Sequence, residues 1–391
     1  MRLLVPDVAR GLALLGIAMA NAPTAWFTDD VDERADFFGG AHSGLDDATV
    51  LATAVTTHVR GLPMFSTLLG FGIGLIMMSL WKRQYPAQRA RTVVMKRYAF
   101  LALFGAIHCI FIFHGDIMFL YGICGVAFGL LFMLKNSTLL AIAYTGLAIG
   151  STGGIILSSF SSLVEDSSQL VSAEGLGVDS QNYGILVLYN GGFFLLQLLA
   201  LPLFVFQLMP LMIIGFVWAR RGVLANPDEH RRELGIWATI AAVVAVGVGV
   251  PWGLAALDVL PPTVEAVTLT LNQSLGLLTG PGILAGLALL LNRRQKAVWA
   301  GAAVPIWLAV PAALGKRSMS GYLFQSFAFA VLAYGFFLGL DLDAFGMAAY
   351  AFGVWLASLG LAWALEVAGK PGPFEWVHRR LAYGRTGTPQ P

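Results

Sequence analysis

Charge is scarce in this chain. Of its 391 residues only 12% are Asp, Glu, Lys or Arg, and 57% are hydrophobic, against about 25% charged and roughly 45–50% apolar in an average soluble domain. An ordinary soluble enzyme is thereby excluded. Cysteine is nearly absent as well: Cys109 and Cys124 both fall in apolar segments, which leaves neither a disulfide framework nor a thiolate zinc site. H-E-x-x-H and comparable ligand spacings are missing, so no metal is expected. No internal repeat, low-complexity tract or separate soluble domain is visible, and no nucleic-acid partner is expected.

What the chain has instead is long apolar runs. A mean hydropathy of +0.74, with such runs along the whole length, is what a bilayer selects, because about 20 apolar residues cross its ~30 Å core. Spans are expected at about 8–27, 49–80, 98–114, 117–134, 138–158, 184–218, 236–256, 266–292, 318–340 and 344–367, each bounded by charges or Pro/Gly clusters. These runs are too long for barrel strands, and helices satisfy their own backbone groups in lipid. The expected fold is therefore all-α: a polytopic integral membrane protein of about ten transmembrane helices in a single domain, 1–391. Segment 297–314, with Pro305 and Pro311, reads as interfacial or re-entrant, an eleventh span being the alternative. The 184–218 run exceeds one upright helix, and Pro202 and Pro210 point to a kink or break in it.

Basic residues set the orientation. All but Arg34 and Arg60 of the 24 Lys and Arg fall on one side when the spans alternate, from Arg2 and Arg10 at the start to Lys370, Arg379, Arg380 and Arg385 at the end. The opposite loops are acidic, with Asp29, Asp30, Asp32, Glu33, Asp36, Asp46 and Asp47 in one and Glu165, Asp166, Glu174 and Asp179 in another. Basic loops are retained inside, so a multi-pass protein of the plasma membrane with both termini cytoplasmic is expected.

Ionisable residues at membrane depth are the informative ones, since each costs at least ~2.5–3.5 kcal/mol on insertion scales. Asp7 and Arg10 can pair on the first helix and aim the guanidinium at a cytoplasmic ligand, with simple anchoring as the alternative. Arg97 and His108 share one helix about three turns, or ~16 Å, apart. Arg97 suits an anionic group, while His108, deeper, is placed to act as a general base. The turn His114-Gly115-Asp116 returns Asp116 and Tyr121 towards that helix, where Asp116 would orient the imidazole; a hydrogen-bonded core histidine is the alternative. His114 itself reads as a solvated interfacial residue. His42 and His58, with Arg60, lie in or just after the acidic loop and could face a polar acceptor. Gly70-x-Gly72-x-Gly74 reads as close helix packing. From Gly315 to Ser326, Lys316, Arg317, Ser318 and Ser320 stand at a helix start, an anion site, with Tyr322, Gln325 and Ser326 behind.

Five ordered stretches resemble one family. They are Asp7-x-x-Arg10-Gly11-x-Ala13 through Gly16-Ile17 with Asn21, Phe65 to Gly72, Arg97 through Gly105-x-x-His108 and Gly115-Asp116-Ile117 to Tyr121, Gly315 to Ser326, and Gly372-Pro373-Phe374-Glu375-Trp376-x-x-Arg379. Together they resemble, over essentially the full length, the YeiB family, catalogued as domain of unknown function 418. The family usually carries Gly-Arg where this chain has Lys316-Arg317, and Thr-Asn where it has Ser320-Gly321. That family is similar to the transmembrane acyltransferases, including O-acyltransferases of bacterial surface glycans and the lysosomal heparan glucosaminide N-acetyltransferase. The resemblance implies transfer of an acyl group, most simply acetyl, from cytosolic acyl-CoA to a hydroxyl or amine of a glycan, lipid or small molecule at the outer face. Acyl-CoA (acetyl-CoA) would be the cosubstrate. Arg10, Arg97, Lys316 and Arg317 would meet its phosphates, and Tyr322 and Gln325 would donate to the thioester oxygen. The base is His108 by the O-acyltransferase spacing and His42 by the glucosaminide acetyltransferase alignment. The competing class is a transporter of a small anionic metabolite or lipid, against which stands the lack of a visible inverted repeat or paired broken helices. The bilayer is the expected partner, and a homodimer is left open.

Overall fold

A computed structural model describes residues 3–27, 34–161 and 182–387, without the side chains of 157–161. Arg2 and the acidic loop residues Asp29, Asp30, Asp32, Glu33, Glu165, Asp166, Glu174 and Asp179 lie outside the described residues. Among those described there is helix and no strand. In chain order the helices are α1 Leu4–Asn21, α2 Gly44–Thr56, α3 Gly61–Lys82, α4 Ala87–Phe111, α5 Met118–Phe128, α6 Asn136–Ser161, α7 Tyr183–Arg221, α8 Arg231–Ala256, α9 Pro262–Leu275, α10 Thr279–Trp299, α11 Ile306–Lys316, α12 Ser318–Ala333, α13 Ala344–Val367 and α14 Pro373–Tyr383. Eight described segments are long and apolar enough to cross a membrane, taking α2 with α3 and α9 with α10 as one each; α5, α11 and α12 are shorter apolar helices. Large apolar side chains such as Leu188, Leu199 and Leu290 point outward, 77–80% exposed, as a surface facing lipid tails requires. The protein is an all-helical polytopic membrane protein.

The helices are less uniform than ten equal spans. The stretch 117–134 carries the 11-residue α5, about 17 Å long, and 318–340 carries the 16-residue α12. One other is interrupted: the 49–80 run breaks between α2 and α3 at 57–60, where Val59 has a φ of +57°. The 266–292 run stays helical throughout and only tightens to a 3-10 turn at Gly276–Leu278, between α9 and α10. A few residues of altered backbone leave the apolar average unchanged, so neither feature is visible in the sequence. By contrast 184–218 forms part of one 39-residue helix, α7, with Pro202 and Pro210 inside it.

Glycine decides the closest approaches. In the antiparallel α4–α5 hairpin a Cβ at Gly105 would run into the Phe119 amide, and one at Gly122 into the Ala102 backbone. On α3, Gly70 meets the Met212 backbone and Gly74 the Ala219 side chain of α7, which is the close packing expected of that glycine run. Gly11 faces the Pro311 carbonyl and Gly315 that of Asp7, so α11 runs antiparallel to α1 and the chain after Trp299 comes back at Lys316 to the end of the bundle it left. That end, which also carries Lys82, Arg97, Arg220 and Lys296, is the basic end.

Candidate functional site

At the basic end α1, α3, α4, α12 and α14 enclose a cavity of about 340 Å³, with Arg10, Arg97, Lys316 and Arg379 in its wall and Phe65, Leu69, Met118, Tyr121 and Tyr322 among its other lining residues. Arg10 donates to the Leu68 carbonyl at 3.3 Å and lies 3.8 Å from Asp7, one helical turn away. Arg97 donates to the Tyr383 hydroxyl at 2.9 Å, and its main-chain carbonyl is 2.8 Å from His378 Nε2. These two contacts seat α14 on α4. Burial and the cations Arg97 and Arg379 push the His378 imidazole down to about 4, so near pH 7 it is neutral and donates to that carbonyl. Glu375, from the first turn of α14, accepts from the amides of Met319 at 2.8 Å and Ser320 at 3.1 Å and from the Ser320 hydroxyl. The anion site expected at the start of α12 is thus occupied by the protein's own carboxylate.

Beyond Tyr322 lies a buried pair. His108 Nδ1 is 2.7 Å from Asp116 Oδ2, and Asp116 Oδ1 accepts the Phe119 amide at 2.8 Å. Only 2% of His108 and 1% of Asp116 is exposed. With a proton on Nδ1 directed at the carboxylate, Nε2 carries the lone pair, and neither it nor the Tyr322 hydroxyl has a hydrogen-bond partner. The Tyr322 ring stands 5.4 Å from the imidazole. The geometry therefore provides an imidazole oriented by a carboxylate, with its second nitrogen beside a phenol that lines the cavity. The turn that makes it possible is roofed by other helices: the carbonyls of Phe111, Ile112 and His114 accept from Tyr183 (3.0 Å), Tyr334 (2.6 Å) and Gln197 (2.9 Å). Irregular backbone at such depth needs these internal donors. His114, expected to be solvated, instead packs against the Phe193 and Tyr189 rings at 5.0 and 5.5 Å.

The remaining candidates are placed elsewhere. Lys316 touches the cavity but pairs with Glu366. Arg317 is spent on Glu366 at 2.6 Å and on the Lys370 and Ala313 carbonyls, tying the α11–α12 corner to α13, and does not line the cavity. Gln325 donates to Ser358 at 3.3 Å and joins α12 to α13, also away from the cavity. His42 is exposed, with its amide 3.2 Å from Asp46 in the cap that starts α2. His58 and Arg60, expected near a loop and open to an acceptor, are 3% and 2% exposed at the α2–α3 break. Sequence reasoning missed Tyr98, Glu375, His378, Arg379 and Tyr383. The Gly372–Arg379 stretch was the available signal, but nothing local shows which helix α14 packs on. Among the described residues no group of three His, Cys, Asp or Glu is placed to hold a metal.

Fold and site thus define a polytopic helical membrane protein with an arginine-lined cavity at one end. Residues 218–385 match a family described as protein of unknown function (DUF418). The uncharacterized protein YxaH of Bacillus subtilis (strain 168) is 23% identical, the alignment covering 98% of this chain and 94% of that protein. The uncharacterized protein YeiB of Escherichia coli (strain K12) is 25% identical over 97% of this chain and 96% of its own. The chain is thus similar to these two proteins over nearly its full length, and its residues 218–385 carry the match to the family of unknown function. No solved structure matches it.

Proposed function

We propose that the protein is an acyl-CoA-dependent membrane acyltransferase whose basic end faces the cytoplasm. What supports this reading is the order of groups from cation to base: Arg10, Arg97 and Arg379 line the cavity, Tyr322 lines it too, and His108 with its free Nε2 stands beside Tyr322, backed by Asp116. Guanidinium groups bind phosphate oxygens in pairs, so they suit the nucleotide of CoA, and the apolar wall at Phe65, Leu69 and Met118 suits its acyl-bearing arm. His108 takes the proton of an acceptor hydroxyl or amine as its oxygen or nitrogen bonds to the thioester carbon. The carbon–sulfur bond breaks, and the CoA thiolate leaves and recovers that proton. Asp116 fixes the tautomer, and the Tyr322 hydroxyl donates to the oxygen on which charge develops. Arg317, Gln325 and His42 have no part in this scheme. A second reading, a carrier of small anions, is favoured by the interruption between α2 and α3 at membrane depth.

The test is thermal stabilisation of the detergent-purified protein by acetyl-CoA, with CoA and CoA lacking the ribose phosphate as controls, since a ligand of the folded state raises its stability by mass action. The proposal expects a saturable shift, at least tenfold weaker in Arg97→Gln, together with a His108→Ala variant that keeps the shift and loses acyl transfer. No shift at millimolar ligand sinks it, and counterflow of a small anion in liposomes without thioester loss would establish the second reading.

A further inference from the structure

The break between α2 and α3 meets the 3-10 turn between α9 and α10. Thr279, at the start of α10, donates to the Val59 carbonyl at 3.2 Å, and Asn272 near the end of α9 donates to that of His58 at 3.4 Å. Gly276 sits so close that a Cβ there would fall 2.8 Å from Val59 and 3.1 Å from the Arg60 guanidinium. Arg60 is 2% exposed. Its Nε donates to the Val55 carbonyl at 3.2 Å and one terminal nitrogen to its neighbour's carbonyl at 3.4 Å, while the other terminal nitrogen has no partner. Among the described residues no carboxylate pairs with it. Carbonyl dipoles at the end of α2 soften such a charge without cancelling it, and a buried charge without a counter-ion is a state proteins avoid.

The neighbours repeat the pattern. His58 packs edge-on to Trp252, ring centres 5.5 Å apart, and with it the rings of Phe37 and Phe38 form an aromatic wall. His58 Nε2, the Trp252 indole nitrogen and Asn272 Oδ1 are all buried and unpartnered. Arginine and indole donate only, and imidazole donates once protonated or in the other tautomer. Two ring nitrogens able to donate, on His58 and Trp252, thus lie unpartnered near a guanidinium that no carboxylate among the described residues pairs with, where the α2–α3 break meets the 3-10 turn between α9 and α10; interrupted helices bind ions in membrane carriers.

We infer that the junction of the α2–α3 break with the α9–α10 turn holds a small monovalent anion, a halide or a short carboxylate, against Arg60, His58 and Trp252. Enclosure limits its size and the single positive charge sets its valence. The inference does not rest on the acyltransferase reading.

The experiment uses the full-length protein in detergent, its melting temperature followed while gluconate, too large for the site, is replaced by chloride or by acetate at constant ionic strength. A saturable rise is expected with one of them, the preferred anion separating halide from carboxylate. Arg60→Gln should raise the midpoint concentration at least tenfold. Trp252→Phe, which deletes one N–H and keeps the packing, should raise it severalfold and serves if the arginine variant fails to fold. Equal melting temperatures in all salts overturn the site, as does a rise that Trp252→Phe leaves unchanged, and a response to phosphate alone overturns its valence. Retention of the chloride or acetate effect in His108→Ala, and of any acetyl-CoA effect in Arg60→Gln, keeps the two sites distinguishable.

Discussion

Two regions of this bundle carry arginine inside the protein, and they treat it differently. At the basic end Arg10 and Arg97 line a cavity, Arg10 beside Asp7 and the Leu68 carbonyl and Arg97 on the Tyr383 phenol, with Glu375 as a neighbouring anion on the start of α12. At the helix junction Arg60 is sealed, facing two carbonyls and, among the described residues, no acid. The first arrangement leaves guanidinium donors available to a large ligand arriving from outside. The second leaves a charge that only something small can answer. Local residue type is the same; access and counter-charge make the sites different.

The comparison can be broken at its frame first. Gly105→Leu should have the largest effect, because the added side chain meets the Phe119 backbone rather than a side chain able to move. A loss above about 3 kcal/mol, read as disappearance of folded monodisperse protein, is expected, whereas Gly286→Ala, with open space around it, should be neutral. Next is Asp116→Ala, which leaves His108 Nδ1 and the Phe119 amide without their acceptor. About 3 kcal/mol of stability should go, and with it any acyl transfer; a variant that kept full transfer would remove Asp116 from the proposed mechanism.

Third comes pH. His378 is held down to about 4 in the folded protein, below the ~6.5 of an open histidine, so the unfolded chain binds the proton first. Stability should be complete above about pH 6.5 and fall by roughly 2–3 kcal/mol as pH drops towards 4, with α14 released. His378→Gln should flatten that part of the profile, and an unchanged slope would show that α14 is held otherwise. The smallest effect is expected for Glu375→Gln, about 1 kcal/mol, since the amide still accepts one bond from α12. The same substitution sharpens the comparison: by removing the internal anion it should tighten binding of a polyanion such as CoA severalfold while leaving the anion response of the Arg60 junction untouched.

What was legible in the residues follows distance along the chain. Asp7 and Arg10 are one turn apart, and His108 and Asp116 are joined by a single tight hairpin, so their proximity is a local matter that helix geometry alone supplies. The resemblance groups Arg10, Arg97, Lys316, Arg317, Tyr322 and Gln325, and the cavity wall holds four of them, Arg10, Arg97, Lys316 and Tyr322. Arg317 and Gln325 look equivalent to these in sequence, yet their partners Glu366 and Ser358 come from α13, about fifty and thirty residues on. The same holds for Glu375, whose bonds reach back to α12, and for the break at 57–60 and the 3-10 turn at 276–278, which scarcely disturb an apolar run.

Composition and periodicity alone determined that this chain enters a membrane, that it does so as helices and that its basic residues gather at one end. Those properties depend on transfer free energy and backbone satisfaction, summed residue by residue. Only the tertiary structure decided which cations line the cavity, that the start of α12 is closed by a carboxylate from α14, and that Arg60 is buried where the α2–α3 break meets the α9–α10 turn. Each depends on a partner distant in sequence, and no local average contains that information.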